Sequence, residues 1–123
     1  MTLDQLFKSI IDQDEMPIVV CDASDTIVYM NPAGIEYYSG HGGEILLGRN
    51  IHDCHNPRSS ELITKVTKWF AESKDHNKIH TVYNEKKDKD VYMVALRDEN
   101  GELIGYYEKH ESRKRDDTPR YNF

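Results

Sequence analysis

The sequence predicts an α+β fold, with a five-stranded antiparallel sheet, helices over one face of it and an amphipathic helix at the N-terminus. The segments follow the order helix, two strands, short helices, one long helix and three strands. Short polar turns join the strands of each group, which is typical of antiparallel neighbours. Only the middle connection has to cross the sheet, so the helices should gather on one side of it. The space between sheet and long helix is then the natural ligand site.

Size and composition favour one folded domain. The chain has 123 residues, of which 37% are hydrophobic and 31% charged, with eight Tyr, three Phe and one Trp. This is enough apolar surface for a core without disulfide bonds. We expect an N-terminal helix over residues 1–14, the main domain over residues 15–112 and a charged flexible tail over residues 113–123.

The net charge of −6 argues against a nucleic-acid or anionic-membrane binder, because both need clustered cations. No apolar run approaches the roughly 20 residues that a membrane span requires. The N-terminus lacks the pattern of a signal peptide. The sequence therefore predicts a cytoplasmic protein with no membrane or nucleic-acid partner.

The first predicted element is an amphipathic helix over residues 2–13. Thr2 and Gln5 have the spacing of a capping box. The helix can pack on the open face of the sheet or on the same helix of a second copy, which would make a homodimer. Its apolar stripe is formed by Leu3, Leu6, Phe7, Ile10 and Ile11.

Two β-rich runs, Ile18–Cys21 and Ile27–Met30, predict the first hairpin, with polar residues in its turn. Asn31 and Pro32 then fit the N-cap and the first position of a short helix through Tyr38. Residues 39–43 break this helix and lack the spacing of a nucleotide-binding glycine motif.

Asn56 and Pro57 repeat the same capping device at the start of the long helix, which should end near Ser73. The last third of the chain is rich in β-formers, and Asn100-Gly101 is a strong hairpin turn. Three strands are predicted there: Ile79–Asn84, Val91–Arg97 and Leu103–His110. In the middle strand, the residues at odd positions and those at even positions are both largely apolar. The sequence therefore leaves open which of these two sets faces the cavity.

The loop before the long helix carries the residues most suited to chemistry. His52, Cys54 and His55 lie within four positions of one another. The positive end of the helix that follows would favour a thiolate or a bound anion at this point. The alternative is that these side chains simply fill a partly buried loop, with Cys54 acting as a small apolar residue.

The order and spacing of three landmarks resemble a PAS domain over about Met16 to Glu111. The landmarks are residues 27–33 (Ile-Val-Tyr-Met-Asn-Pro-Ala), residues 47–50 (Leu-Gly-Arg-Asn) and residues 94–105. The Asp53–Pro57 stretch is similar to a bacterial subset of PAS domains with a Cys-His-Pro-type sequence before the long helix, some of them attached to hemerythrin-like domains.

The resemblance implies a sensory module that binds a small molecule or cofactor and passes the change to a signalling protein, whose identity the sequence does not give. Most PAS domains are not enzymes. Light-sensing flavin PAS domains place the reactive cysteine directly after a Gly-Arg-Asn step, where this chain has Ile51. Flavin-adduct chemistry is therefore not expected.

Three hypotheses for the ligand stay open at this stage. In the first, a small organic molecule is bound with His52, Cys54 and His55 at the cavity mouth and Trp69 and Tyr92 in its wall, although both aromatics also suit plain core packing. In the second, His52, Cys54 and His55 hold haem or a metal, which needs further ligands. Those ligands would come from a second subunit or from His41, His76, His80 and His110.

In the third hypothesis Cys54 is a thiol redox switch whose reactivity is raised by the start of the helix. An enzymatic role, with Cys54 as nucleophile and His52 or His55 as base, has the least support. Residues adjacent in sequence rarely have the relative geometry that a nucleophile and its base require.

Overall fold

The fold was examined in a computed structural model, which describes residues 1–122. The predicted order of elements and the α+β class are confirmed. The helices are α1 (Leu3–Asp12), α2 (Pro32–Tyr37) and α3 (Pro57–Glu72), with short 3₁₀ turns at Ser39–His41, Gly43–Leu46 and Ile51–Cys54. The strands are β1 (Ile18–Asp22), β2 (Ile27–Met30), β3 (Lys78–Asn84), β4 (Lys89–Arg97) and β5 (Leu103–Ser112).

The five strands form one antiparallel sheet in the order β2-β1-β5-β4-β3. The first hairpin and the last three strands meet where β1 pairs with β5, so the ends of the domain lie beside each other at the centre of the sheet. Gly105 allows this pairing, because a Cβ at that position would lie 2.3 Å from the carbonyl oxygen of Cys21.

The predicted helix starts are confirmed in detail. Thr2 and Gln5 make the capping box of α1, since each side chain bonds the backbone N–H of the other. The Oδ1 atoms of Asn31 and Asn56 accept from Gly34 N–H and Ser59 N–H at the starts of α2 and α3. These bonds satisfy donors that a helix leaves unpaired.

The core lies between one face of the sheet and α3. Strand residues at alternate positions point into it, and the apolar stripe of α3 covers them. Both cysteines are free thiols, and burial raises the pKa of Cys21 to about 12, so that thiol is neutral. The central members of the core are Val19, Cys21, Ile27, Met30, Ile63, Val66, Phe70, Met93 and Tyr106.

Asn31 joins three elements from a fully buried position, with 0% of its surface exposed. Its Oδ1 accepts from the N–H of Ile18 at the start of β1 and from Gly34 in α2. Its Nδ2 donates to the carbonyl oxygens of Ile11 and Met16 at distances of 3.1 and 3.0 Å. One amide therefore fixes the end of α1, the first strand and the second helix relative to one another.

The apolar stripe of α1 is not covered by the described part of the chain. Leu3, Leu6, Phe7 and Ile10 are 46–68% exposed, and none of the residues of α1 is buried. The helix is held at its C-terminal end instead, where Asp12 accepts from the Tyr29 hydroxyl and from Lys8. A monomeric protein rarely leaves such a stripe in water.

At the other end of the chain, Arg113 begins the segment that the sequence analysis assigns to the tail. Its guanidinium makes two 2.8 Å bonds to the carboxylate of Asp90. Residues 114–122 form no helix or strand. Within residues 1–122, no helix is long and apolar enough to cross a membrane.

Replacing Asn31 with Asp tests the role of this buried amide. The variant has nearly the same shape but loses both N–H donors and sets a carboxylate against two carbonyl oxygens. We expect the free energy of unfolding to fall by roughly 3–5 kcal/mol, as measured by urea denaturation.

The matched control is Asn56→Asp, because the exposed Asn56 side chain serves as an N-cap acceptor and Asp caps equally well. Its change should stay within about 0.5 kcal/mol. Equal losses in the two variants would show that Asn31 is merely another helix cap.

Candidate functional site

A cavity of about 240 Å³ lies between the sheet, α2 and the N-terminal half of α3, and it is called the inner chamber below. Its position agrees with the site expected from the fold. The inward set of β4 is the one with Val91 and Met93, which settles the question that the sequence left open. The apolar walls are formed by Val19, Ile51, Leu62, Ile63, Val82, Val91 and Met93, with the rings of Tyr37, Tyr38 and Tyr106.

A carboxylate lies in the wall of this apolar chamber. The Oε1 atom of Glu108 accepts from the Tyr38 hydroxyl at 2.6 Å and from Nε2–H of His110 at 2.5 Å. Within residues 1–122, no hydrogen bond reaches Oε2 of Glu108. The side chain is 23% exposed, and it lines the chamber. One oxygen is thus fixed by protein donors and the other is left for a bound group.

Glu108 is held in its ionised form by these partners. Burial alone would raise the pKa of this carboxyl, but the hydrogen bonds from His110 and Tyr38 outweigh it, so that the pKa is lowered. Burial and the adjacent Glu108 raise the pKa of Tyr38, which therefore stays protonated and donates.

His110 provides the second unused group in the chamber. It is 3% exposed, and its Nδ1 is buried without a hydrogen-bond partner within residues 1–122. An ionised carboxylate can only accept, so the hydrogen lies on Nε2, which faces Glu108. In the neutral ring Nδ1 is then a free acceptor. Buried polar atoms without partners are rare, and each needs an explanation.

A side chamber, also of about 240 Å³, adjoins the first and shares part of its wall, including Tyr38, His55 and Glu108. His55 is exposed at the junction of the two chambers. Burial of part of its ring lowers the pKa of His55, aided by the nearby His52 and opposed by Glu108. The neutral form of this imidazole is therefore favoured at neutral pH.

His52 lies in the 3₁₀ turn but lines neither chamber. Its Nε2 is 3.1 Å from Oδ2 of Asp25, and its Nδ1 contacts Oγ of Ser60 in α3. The other oxygen of Asp25 accepts from the Tyr106 hydroxyl at 2.7 Å. The residue types match a hydrolase triad, but Ser60 lines neither chamber. The network therefore joins the sheet to α3.

The other predicted ligand residues are dispersed. Cys54 lines the side chamber, and its Sγ is 3.8 Å from the carbonyl oxygen of Asn50. Trp69 packs against the core and stacks on His76, with ring centroids 4.1 Å apart. Tyr92 belongs to the outward set of β4, where the ammonium of Lys78 lies over its ring at 4.3 Å. Of these three, only Cys54 borders a chamber.

The structure does not gather a metal site from these residues. Within residues 1–122, no group of three or more His, Cys, Asp or Glu side chains is arranged to hold a metal ion. The predicted set His52, Cys54 and His55 is not among such groups, and both ring nitrogens of His52 contact Asp25 and Ser60. Residues in a tight turn also point in diverging directions, even when they are adjacent in sequence.

Sequence analysis missed Glu108, Tyr38 and Tyr106 as site residues and named His110 only as a spare metal ligand. A signal was present in β5, where Tyr106, Glu108 and His110 occupy alternate positions and therefore share a face. The opposite face has Tyr107, Lys109 and Glu111, which are equally polar. The strand alone could not reveal which set points inward.

Comparisons with known proteins agree with this geometry. A family model described as "PAS fold" matches residues 11–109. The PAS domain of a Colwellia psychrerythraea protein has 18% identity and a TM-score of 0.65, covering 90% of this chain and 97% of that one. For the PAS domain of Bordetella pertussis BvgS the values are 18%, 0.65, 91% and 88%.

A third similar structure is the Aer2 receptor from Vibrio cholerae, described as a dual PAS-heme oxygen sensor. It has 17% identity and a TM-score of 0.57, covering 80% of this chain and 95% of that one. At these identities the likeness concerns the fold alone. Comparison with curated protein sequences gave no significant match.

The lowered pKa of Glu108 predicts how stability depends on pH. A carboxyl whose folded pKa lies below its unfolded value of about 4.3 stabilises the fold above about pH 5, and this contribution is lost as the pH falls further. Between pH 7 and pH 4 the wild type should therefore lose more unfolding free energy than Glu108→Gln, which cannot titrate there.

Urea unfolding at several pH values measures this difference. Glu99→Gln, in the exposed turn before β5, is the control and should follow the wild type. A steeper loss in Glu108→Gln than in the wild type would mean that burial dominates and that the pKa of Glu108 is raised.

Proposed function

The chain belongs to the PAS fold family, and from that premise we propose that it is a sensory module that binds a small molecule in the inner chamber and relays binding to a partner protein. The observation that carries this proposal is a polar pair in an otherwise apolar cavity, namely the carboxylate of Glu108 and His110, whose Nδ1 is buried without a partner within residues 1–122. A few convergent polar groups in an apolar pocket are what a small-ligand site requires.

The size of the chamber supports a small organic ligand over a large cofactor. Its volume of about 240 Å³ is below the roughly 300–1,000 Å³ typical of drug-sized ligands. Haem and flavin cofactors are themselves of drug size or larger, so the inner chamber is small for them. The proposed contacts are His55 at the mouth, Cys54 in the side chamber, and Tyr38, Glu108 and His110 in the wall.

The network around Asp25 offers a route for the signal. Tyr106 lines the inner chamber, and its hydroxyl donates to Asp25, which also contacts His52. His52 contacts Ser60 in the first turns of α3. A ligand that shifts Tyr106 would therefore change the bonds that hold α3 against the sheet.

The partner that we propose is first a second copy of this chain. The uncovered stripe of α1 presents Leu3, Leu6, Phe7 and Ile10 on one side of the helix. Two such stripes packed together would remove this apolar surface from water, as in most symmetric dimers. A signalling protein would then read the arrangement of the two domains.

A matched pair of substitutions in β4 tests the chamber. Val91→Phe fills it from the inward face, whereas Val94→Phe adds the same group to the outward face. Native mass spectrometry of the untreated protein should find a small molecule bound to the wild type and to Val94→Phe, and none bound to Val91→Phe. Equal retention by both variants would place the ligand outside the chamber.

A second matched pair tests the dimer. Leu6→Glu puts a charge into the stripe, whereas Gln5→Glu adds the same charge on the other side of α1 and keeps the capping box. Analytical ultracentrifugation should show dimers for the wild type and Gln5→Glu. For Leu6→Glu the dissociation constant should rise by about tenfold or more, because a charge would be buried in an apolar contact. A wild type that stays monomeric at high concentration would contradict the proposal.

A further inference from the structure

Glu108 and His110 form a hydrogen-bonded pair in the wall of the inner chamber. Glu108 and His110 are two positions apart on β5 and therefore share a face of the sheet. Their bonded atoms, Oε1 and Nε2, are 2.5 Å apart. Because Nε2–H of His110 points at Glu108, Nδ1 on the far side of the ring points away from it. The two residues therefore offer separate contacts, and the carboxylate suits a ligand group that carries N–H donors.

The charges of the lining residues also favour a ligand group with N–H donors. Within the described chain, neither chamber has Lys or Arg among its lining residues, and Glu108 is the only carboxylate that lines them. Lys89 is the cation to consider as a partner of Glu108, because the charge of that carboxylate opposes the burial that lowers the pKa of Lys89. Its ammonium, however, lies over the ring of Tyr37 at 3.8 Å, and Lys89 lines a different groove.

The volume and apolar walls of the chamber determine the size and polarity of the ligand body that fits it. An apolar cavity of about 150 Å³ is large enough for benzene, and the inner chamber has about 240 Å³. This leaves room for a ring or short aliphatic body with one polar substituent. The rings of Tyr37, Tyr38 and Tyr106 also line the chamber, and the faces of aromatic rings attract cations.

We infer that the ligand is a small primary amine, whose ammonium donates to the carboxylate of Glu108 while its apolar body fills the chamber. This inference rests on the proposed function, since it names the chemistry of the molecule sensed at that site. An anionic ligand would bring a second carboxylate beside Glu108.

Three probes of equal size separate these chemistries on the full unmodified chain. Benzylamine, benzyl alcohol and benzoate share a six-membered ring and differ only in the polar group, which is cationic, neutral or anionic at pH 7.5. Their dissociation constants and sites can be measured by NMR titration of the backbone amides. Benzylamine should bind at least about tenfold more tightly than the other two, because a hydrogen bond to a charged group is worth roughly one to two powers of ten in affinity.

Glu108→Gln then tests the assigned partner. It should weaken benzylamine binding by about tenfold or more and leave benzyl alcohol within about twofold. Glu111→Gln is the matched control, because Glu111 lies on the opposite face of the same strand and should leave both affinities unchanged. The comparison of the three probes on the wild-type chain holds even if Glu108→Gln does not fold.

Tighter binding of benzoate or benzyl alcohol in the chamber would overturn the amine assignment and leave the ligand site standing. Equal benzylamine affinity in the wild type and a folded Glu108→Gln variant would likewise overturn it. Failure of all three probes to shift any chamber residue would count against the ligand-binding function itself.

Discussion

The structure is built around a carboxylate that faces an apolar cavity. A buried charge is costly unless donors surround it, and Glu108 receives one from α2 and one from its own strand through Tyr38 and His110. These contacts fix the distance between the sheet and α2. They also leave one carboxylate oxygen and one ring nitrogen without hydrogen bonds from the described residues. In the function that we propose, the same residues stabilise the site and contact the ligand.

Besides its apolar core, the fold has two other polar nodes around this site. Asn31 ties α1, β1 and α2 together through a buried amide. Asp25 ties Tyr106 of the sheet to His52 and thereby to α3. Both nodes are polar and directional, so a displacement at one end changes defined hydrogen bonds at the other. A sensory domain needs such coupling between a cavity and its covering helix.

The order of elements and the helix starts could be predicted because they depend on local signals. Asn56 followed by Pro57, or Asn100 followed by Gly101, determines the backbone within a few residues. The site could not be predicted in the same way, because it depends on long-range register. Tyr38 and Glu108 are 70 positions apart, and both faces of β5 carry similar residues. The composition of the loop before α3 suggested one shared site for His52, Cys54 and His55. In the structure these side chains contact different neighbours.

We propose that the space between the sheet and α3 holds a small polar molecule. This proposal is tested most directly by a high-resolution crystal structure of the protein purified without added ligand or chelator. The account predicts density for a non-protein molecule in the inner chamber, within hydrogen-bonding distance of the carboxylate of Glu108. A chamber closed by its own side chains, with His110 and Glu108 fully paired to protein groups or to solvent alone, would contradict it.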